Sequence, residues 1–196
     1  MSELFLSRLR IPKIQQLKMH LTDEYDIHQL VYSLFPCEDR RCFLYFLDYG
    51  GMGDLSVLVQ SEVRPDKASP VRIETKVIPE SFLNNDSYAF RLRISPVVKK
   101  DGKVTRVLHG QKEAVDWLVS REESYGIHFN SDRIEKTSSG VMRMKGHKDR
   151  RITLSFVDLT GILEVTDREK FIRVVRTGIG PGKGFGMGML QLMPIE

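Results

Sequence analysis

Residues 166–194 read TDREKFIRVVRTGIGPGKGFGMGMLQLMP, and three successive elements can be parsed from this one run. Thr166 and Glu169 have the spacing of a capping box, and Phe171, Val174 and Val175 recur as one buried helical stripe. Gly178 falls where a helix-terminating glycine belongs. From Gly178 to Gly188 glycine takes every second position, with Ile179, Pro181, Lys183, Phe185 and Met187 between. Such a run holds neither helix nor strand, because glycine loses the most backbone freedom on ordering and one strand face would be bare. It reads as a loop, and Met189 to Pro194 beyond it reads as a final strand.

Working outward, Tyr88 to Val98 alternates as Phe90, Leu92 and Ile94, a strand with Arg91 and Arg93 on its other face. Gln111 to Glu122 is a helix with Ala114, Val115, Leu118 and Val119 inward, and Ile127–Met144 and Ile152–Val165 are extended segments joined by a basic turn. In the first half, Leu4 to Ile11 is a strand stopped by Pro12. Glu24 to Phe35 is a helix with Ile27, Leu30, Val31, Leu34 and Phe35 on one stripe, capped by Thr22 or Asp23 and ended by Pro36. Cys42–Tyr49, closed by Gly50-Gly51, and Leu55–Gln60 form a hairpin. Arg64 to Pro79, with Pro65, Pro70 and Pro79, reads as a junction.

This order predicts an α+β fold of two tandem ferredoxin-like (RRM-like) βαββαβ domains, 1–80 and 86–196, with a C-terminal glycine-rich loop. The second helix of the first domain has no counterpart in the sequence.

The chain has 196 residues, 41% of them hydrophobic and 29% charged, the balance of a soluble globular protein. No stretch approaches the ~20 apolar residues of a membrane span. The start, Met1-Ser2-Glu3-Leu4, has no apolar signal core, so a cytoplasmic protein is expected. Cys37 and Cys42 are expected as reduced thiols. The net charge of +4 favours a polyanionic partner.

A glycine loop around Lys183 brings bare backbone N–H groups near a phosphate. The nucleotide motifs nevertheless fail, since Lys183 stands where both a Walker loop and a dinucleotide fingerprint begun at Gly178 need glycine. A nucleotide-cofactor enzyme is disfavoured. The five histidines, His20, His28, His109, His128 and His147, show no metal-ligand spacing, so neither metal nor cofactor is expected.

His28 lies beside the buried helical stripe, with Tyr25 three residues before it and Tyr32 four after, all on one face. It is either a half-buried histidine bonded to a neighbour or a general acid/base flanked by a phenol. Five of the nine residues 143–151 are Lys or Arg: Arg143, Lys145, Lys148, Arg150 and Arg151. This tip of a hairpin is either a solvated turn or a contact for nucleic-acid phosphates. Arg91, Arg93, Lys99, Lys100, Lys103 and Arg106 add a second basic stretch.

The C-terminal Gly178-Ile179-Gly180-Pro181-Gly182-Lys183 to Gly186-Met187-Gly188-Met189-Leu190 resembles the glycine-rich signature of the CasE family. These are CRISPR precursor-RNA endoribonucleases of type I-E systems, in the wider RAMP superfamily. Tyr25-x-x-His28 followed by Leu34-Phe35-Pro36, the Phe90–Pro96 strand, and Phe156 through Thr166 extend the resemblance over nearly the whole chain. It implies tandem ferredoxin-like domains and metal-independent cleavage of CRISPR repeat RNA at the base of its stem-loop. The expected product carries a 2′,3′-cyclic phosphate or 3′-phosphate opposite a 5′-hydroxyl. It places the catalytic histidine on His28 and its partner tyrosine on Tyr25, and the hairpin that grips the RNA stem at 143–151. The implied partners are the repeat stem-loop, the mature guide RNA, and other subunits of the type I-E surveillance complex, with no membrane.

A catalytically silent RNA-hairpin-binding subunit is the alternative, and a small-molecule phosphate enzyme a more distant one. On either RNA reading the glycine loop is expected to be a backbone surface for RNA or for the opposing domain. Lys183, with Gly182 and Gly184 beside it, would contact RNA while proton transfer belongs to the separate helix of Tyr25 and His28.

Overall fold

Pro12 ends the first strand, β1 (Phe5–Ile11), and its fixed φ also starts a short helix not expected from the sequence, α1 (Lys13–Lys18). The computed structural model describes residues 3–37, 40–49, 53–66, 69–146 and 151–195. After α1 come α2 (Glu24–Leu34), β2 (Phe43–Tyr49), β3 (Leu55–Ser61) and β4 (Arg72–Val77). The remainder is β5 (Ser87–Ile94), β6 (Val97–Lys100), β7 (Lys103–Val107), α3 (Gln111–Val119), α4 (Glu122–Tyr125), β8 (Ile127–Phe129), β9 (Glu135–Lys145), β10 (Arg151–Val165), α5 (Arg168–Thr177) and β11 (Leu190–Pro194). The architecture is α+β with antiparallel sheets.

The first sheet runs β2-β3-β1-β4, antiparallel throughout. The second runs β11-β5-β10-β8, and β9 also pairs with the long β10, so the two share one edge of it. β6 and β7 form a separate two-stranded ribbon.

Four local expectations are corrected. The supposed junction 64–79 contains β4, paired with β1 from Phe5↔Val77 to Arg10↔Arg72. Its side chains are mostly exposed, so the strand is held by its ladder and lacks a clean apolar alternation. α5 is capped by Asp167, whose carboxylate accepts from Lys170 N at 3.0 Å, and not by Thr166. β5 stops at Ile94, and the chain resumes after Ser95-Pro96 as β6, because a proline removes a ladder donor. Cys37 and Cys42 are joined as a disulfide instead of being two thiols, their Cα atoms lying 5.8 Å apart. The Gly50-Gly51 turn lies outside the described residues.

β2 is buried on both faces. Phe43, Tyr45 and Leu47 share a core with Ile27, Leu30, Val31 and Leu34 of α2, while Leu44 and Phe46 pack with Leu6, Leu58 and Met189 on the other side. The α2 core also takes Met142 and Met144 from β9 and Met187 from the glycine loop.

Two polar links are buried as well, one from β3 to α5 and one across β5 and β10. Gln60 Nε2 donates to Val175 O at 2.6 Å. Arg93 donates to both oxygens of Asp158, at 2.7 and 2.8 Å, and its guanidinium lies between Phe46 and Phe156, 4.8 and 4.5 Å from the ring centres. The sequence placed Arg93 in a second basic stretch; it is instead an internal tie. Arg106 of that stretch is ion-paired with Glu113. No helix among the described residues is long and apolar enough to cross a membrane.

Candidate active site

The site begins at the N-terminus of α2. Asp23 Oδ1 accepts from Tyr25 N at 2.8 Å and Asp26 N at 3.1 Å, and the Asp26 carboxylate reaches back to Asp23 N, a complete capping box. Asp23 Oδ2 also accepts from Lys145 N at 3.1 Å, so one carboxylate starts the helix and anchors the end of β9. From that fixed start, Tyr25, His28 and Tyr32 fall on one flank. The His28 ring centre is 5.5 Å from Tyr25, stacked, and 4.3 Å from Tyr32, tilted.

The glycine loop closes over this flank. Gly182 and Gly186 both adopt left-handed backbone, φ +81° and +78°, around a single 3₁₀ turn from Lys183 to Phe185. A Cβ on Gly182 would stand 2.6 Å from Met187 Sδ, so the turn needs that glycine for space and for conformation. The turn stacks Phe185 on His28 with centres 4.7 Å apart and aims Gly184 O at the imidazole.

Gly184 O lies 2.6 Å from His28 Nδ1. A carbonyl oxygen only accepts, so Nδ1 carries a hydrogen, and Nε2 is the nitrogen left to exchange a proton. Tyr45 Oη donates to the same carbonyl at 2.8 Å. Burial pushes the Tyr45 phenol well above its ordinary range, so it stays a donor. Gly184 thus orients the histidine through its backbone, and a buried tyrosine orients Gly184.

The cations at the site are Lys183 and Arg41. Burial first, and then the neighbouring Arg41 charge, hold the Lys183 ammonium below the usual lysine range. Among the described residues no cluster of three His, Cys, Asp or Glu side chains is placed to hold a metal ion.

Residues 4–194 match the family model described as CRISPR associated protein. The chain belongs to this family. The CRISPR associated protein family is also where its relatives lie. The chain is 27% identical to the CRISPR-associated endoribonuclease Cse3 of Thermus thermophilus, covering 93% of this chain and 96% of that one. It is 28% identical to the CRISPR system Cascade subunit CasE of Escherichia coli, over 88% and 93% of the two chains. A solved structure of Cse3 bound to a 19-nucleotide RNA superposes with a TM-score of 0.83 at 25% identity, covering 98% of this chain and all of that one. The resemblance to the CasE family seen in the sequence is therefore borne out.

In this family member the structure brings together His28, Tyr25, Lys183 and Gly184, which the sequence reading had divided between a chemical helix and a separate loop. Gly182 serves the turn that delivers Gly184. Arg143, Lys145 and Arg151 are exposed on the β9–β10 hairpin, with Arg143 and Lys145 alternating against the buried Met142 and Met144. Lys148 and Arg150 lie outside the described residues.

Sequence reasoning missed Arg41, Tyr45 and Phe185, and it named Tyr32 only as a face-mate of His28. Phe185 carried a signal, as the one aromatic residue in a loop of glycines. Arg41 carried little, being one of two adjacent arginines before a strand.

Proposed function

We propose that this chain is a metal-independent endoribonuclease that cuts CRISPR repeat RNA at the base of its stem-loop and retains the guide as a subunit of a surveillance complex. The observation that carries the reading is the His28 Nδ1–Gly184 O contact of 2.6 Å, which holds one imidazole nitrogen and leaves the other to exchange a proton. The named activity of Cse3 and the Cascade membership of CasE, in relatives aligned over nearly the whole chain, supply the substrate and the assembly.

The chemistry asks little more of the protein. An RNA 2′-hydroxyl in line with its own 3′-phosphate is an intramolecular nucleophile, so orientation and proton transfer suffice. His28 Nε2 exchanges a proton with the 2′-hydroxyl or the departing 5′-oxygen, and the Tyr25 phenol serves the opposite end. The 2′-oxygen bonds to phosphorus as the P–O5′ bond breaks, leaving a 2′,3′-cyclic phosphate and a 5′-hydroxyl. Arg143, Lys145 and Arg151 of the hairpin grip the RNA stem, and Lys183 contacts its backbone.

The fold reading supports this assignment. Each principal sheet has the order of a ferredoxin-like unit: β2-β3-β1-β4 in the first, and β11-β5-β10 with β8 and β9 in the second. We assign residues 1–80 and 86–196 to the two units.

Incubation with end-labelled repeat RNA tests the reading. One defined product is expected, formed equally in EDTA and abolished by a 2′-deoxy substitution at the cleaved nucleotide, with binding retained. Loss of cutting in EDTA sinks the mechanism, and binding without any product would make the chain a silent RNA-hairpin binder.

Gly184 gives a second test. Its φ is not positive, and an added Cβ would meet Tyr32 Oη at 3.5 Å, His28 Cε1 at 3.8 Å and Arg41 Nη1 at 3.9 Å, all ordinary contacts. A Cβ there enters the site without straining the loop. Gly184→Leu is expected to keep the melting temperature within a few degrees while slowing cleavage at least tenfold; equal rates would mean that RNA does not approach Gly184.

A further inference from the structure

Arg40 and Arg41 precede β2 side by side and meet different fates. Arg40 pairs with Glu62 at 3.1 Å. Arg41 turns the other way, its Nε donating to Phe43 O at 3.1 Å, which fixes the plane of the guanidinium and leaves the terminal nitrogens without a partner among the described residues. Nη1 then lies 3.9 Å from where a Gly184 side chain would begin, on the same side as His28 Cε1.

Lys183 approaches the same place from the loop. Among the described residues neither Arg41 nor Lys183 forms an ion pair, whereas the buried or half-buried Arg93, Arg168 and Arg176 each have a carboxylate partner. Two like charges converging with no counterion among the described residues disfavour each other, and the depressed affinity of Lys183 for its proton registers that repulsion after burial. Such an arrangement is relieved by an anion supplied from outside the chain. A guanidinium with its Nε already committed offers a two-pronged edge to phosphate oxygens, and an ammonium offers a point charge.

We propose that Arg41 and Lys183 clamp one phosphate of the RNA, the one at the cleaved bond, and that Arg41 is a catalytic residue stabilising the charge that builds on its oxygens. This rests on the endoribonuclease reading above. The two cations come from different elements: Arg41 is set by the backbone before β2, and Lys183 by the glycine turn that also orients His28. One loop therefore places the proton carrier and half of the phosphate site in a single rigid step.

The test uses the full chain and repeat RNA with a 2′-deoxy nucleotide at the cleavage position, in which one phosphate at a time is replaced by a neutral methylphosphonate. In the wild type, the replacement at the cleaved bond is expected to weaken binding about tenfold. In Arg41→Ala and in Lys183→Ala the same replacement is expected to cost less than twofold, since the charge it removes has lost its partner. Independent, additive losses at every position would overturn the clamp. With unmodified RNA already bound, Arg41→Ala is expected to slow cutting at least 100-fold and Arg41→Lys to restore part of that loss. A bound-state rate within threefold of wild type would overturn the catalytic role of Arg41. If the wild type itself cuts nothing, the endoribonuclease reading fails, while the methylphosphonate coupling still decides whether the clamp exists.

Discussion

His28→Ala is expected to slow single-turnover cleavage of repeat RNA by ~10²–10⁴-fold, the range for loss of a positioned acid/base group, while affinity for the stem-loop stays within about threefold. The separation follows from the geometry. Arg143, Lys145 and Arg151 stand on the β9–β10 hairpin, and His28 makes its polar contact inward, to Gly184 O. The substitution removes one imidazole and leaves α2 with its Asp23 cap and its buried stripe. His28→Asn is the companion variant, because its amide can still donate to Gly184 O while lacking a nitrogen that exchanges protons near neutral pH. It should be as inactive as the alanine variant and at least as stable. A product that persists in both variants would take proton transfer away from this residue. A loss of binding equal to the loss of rate would make His28 a contact and not an acid/base.

The largest effect on stability is expected at Arg93. Its pairing with Asp158 is bidentate, with side-chain exposures of only 11% and 4%, and the guanidinium is stacked between rings from two sheets. Arg93→Ala leaves the Asp158 carboxylate buried and unpaired, which costs ~3–5 kcal/mol. For a chain of this size that corresponds to a fall in melting temperature of roughly 6–20 °C. The double variant Arg93→Met with Asp158→Leu is expected to recover much of the loss, since two apolar side chains of similar volume need no partner. Thermal and urea melts of the two variants measure both numbers. A loss below about 1 kcal/mol for Arg93→Ala, or a double variant worse than the single, would show that the pair is not an internal tie of this core.

These two residues also mark where sequence reasoning succeeds and where it stops. The spacing of Ile27, Leu30, Val31 and Leu34 gave the helix and its buried face, and so put Tyr25, His28 and Tyr32 together on the adjoining flank. Periodicity carries that information because the i, i+3 and i+4 positions of a helix are neighbours. Arg93 was misread for the converse reason. Alternation in a strand says which residues share a face, but not whether that face meets water, and β5 packs on both sides. β4 was missed because its exposed side chains leave only the backbone ladder to identify it. The contact between Gly184 O and His28 was illegible in principle. Every residue has a carbonyl, and the one that matters is chosen by left-handed glycines on either side of it and by a fold that joins positions 156 residues apart.

That sequence separation has a consequence for how the protein is made. Residue 28 leaves the ribosome early and residue 184 late, so α2 and the first sheet can be formed long before the carbonyl that fixes the imidazole exists. During that interval the emerging chain can display basic side chains without a settled acceptor for the Nδ1 hydrogen. A product of interrupted translation that stops before the glycine turn would therefore be, at most, a holder of RNA. The capacity to cut arises only with the turn, which acts as a built-in check that synthesis has passed every strand but β11 before the nuclease is armed.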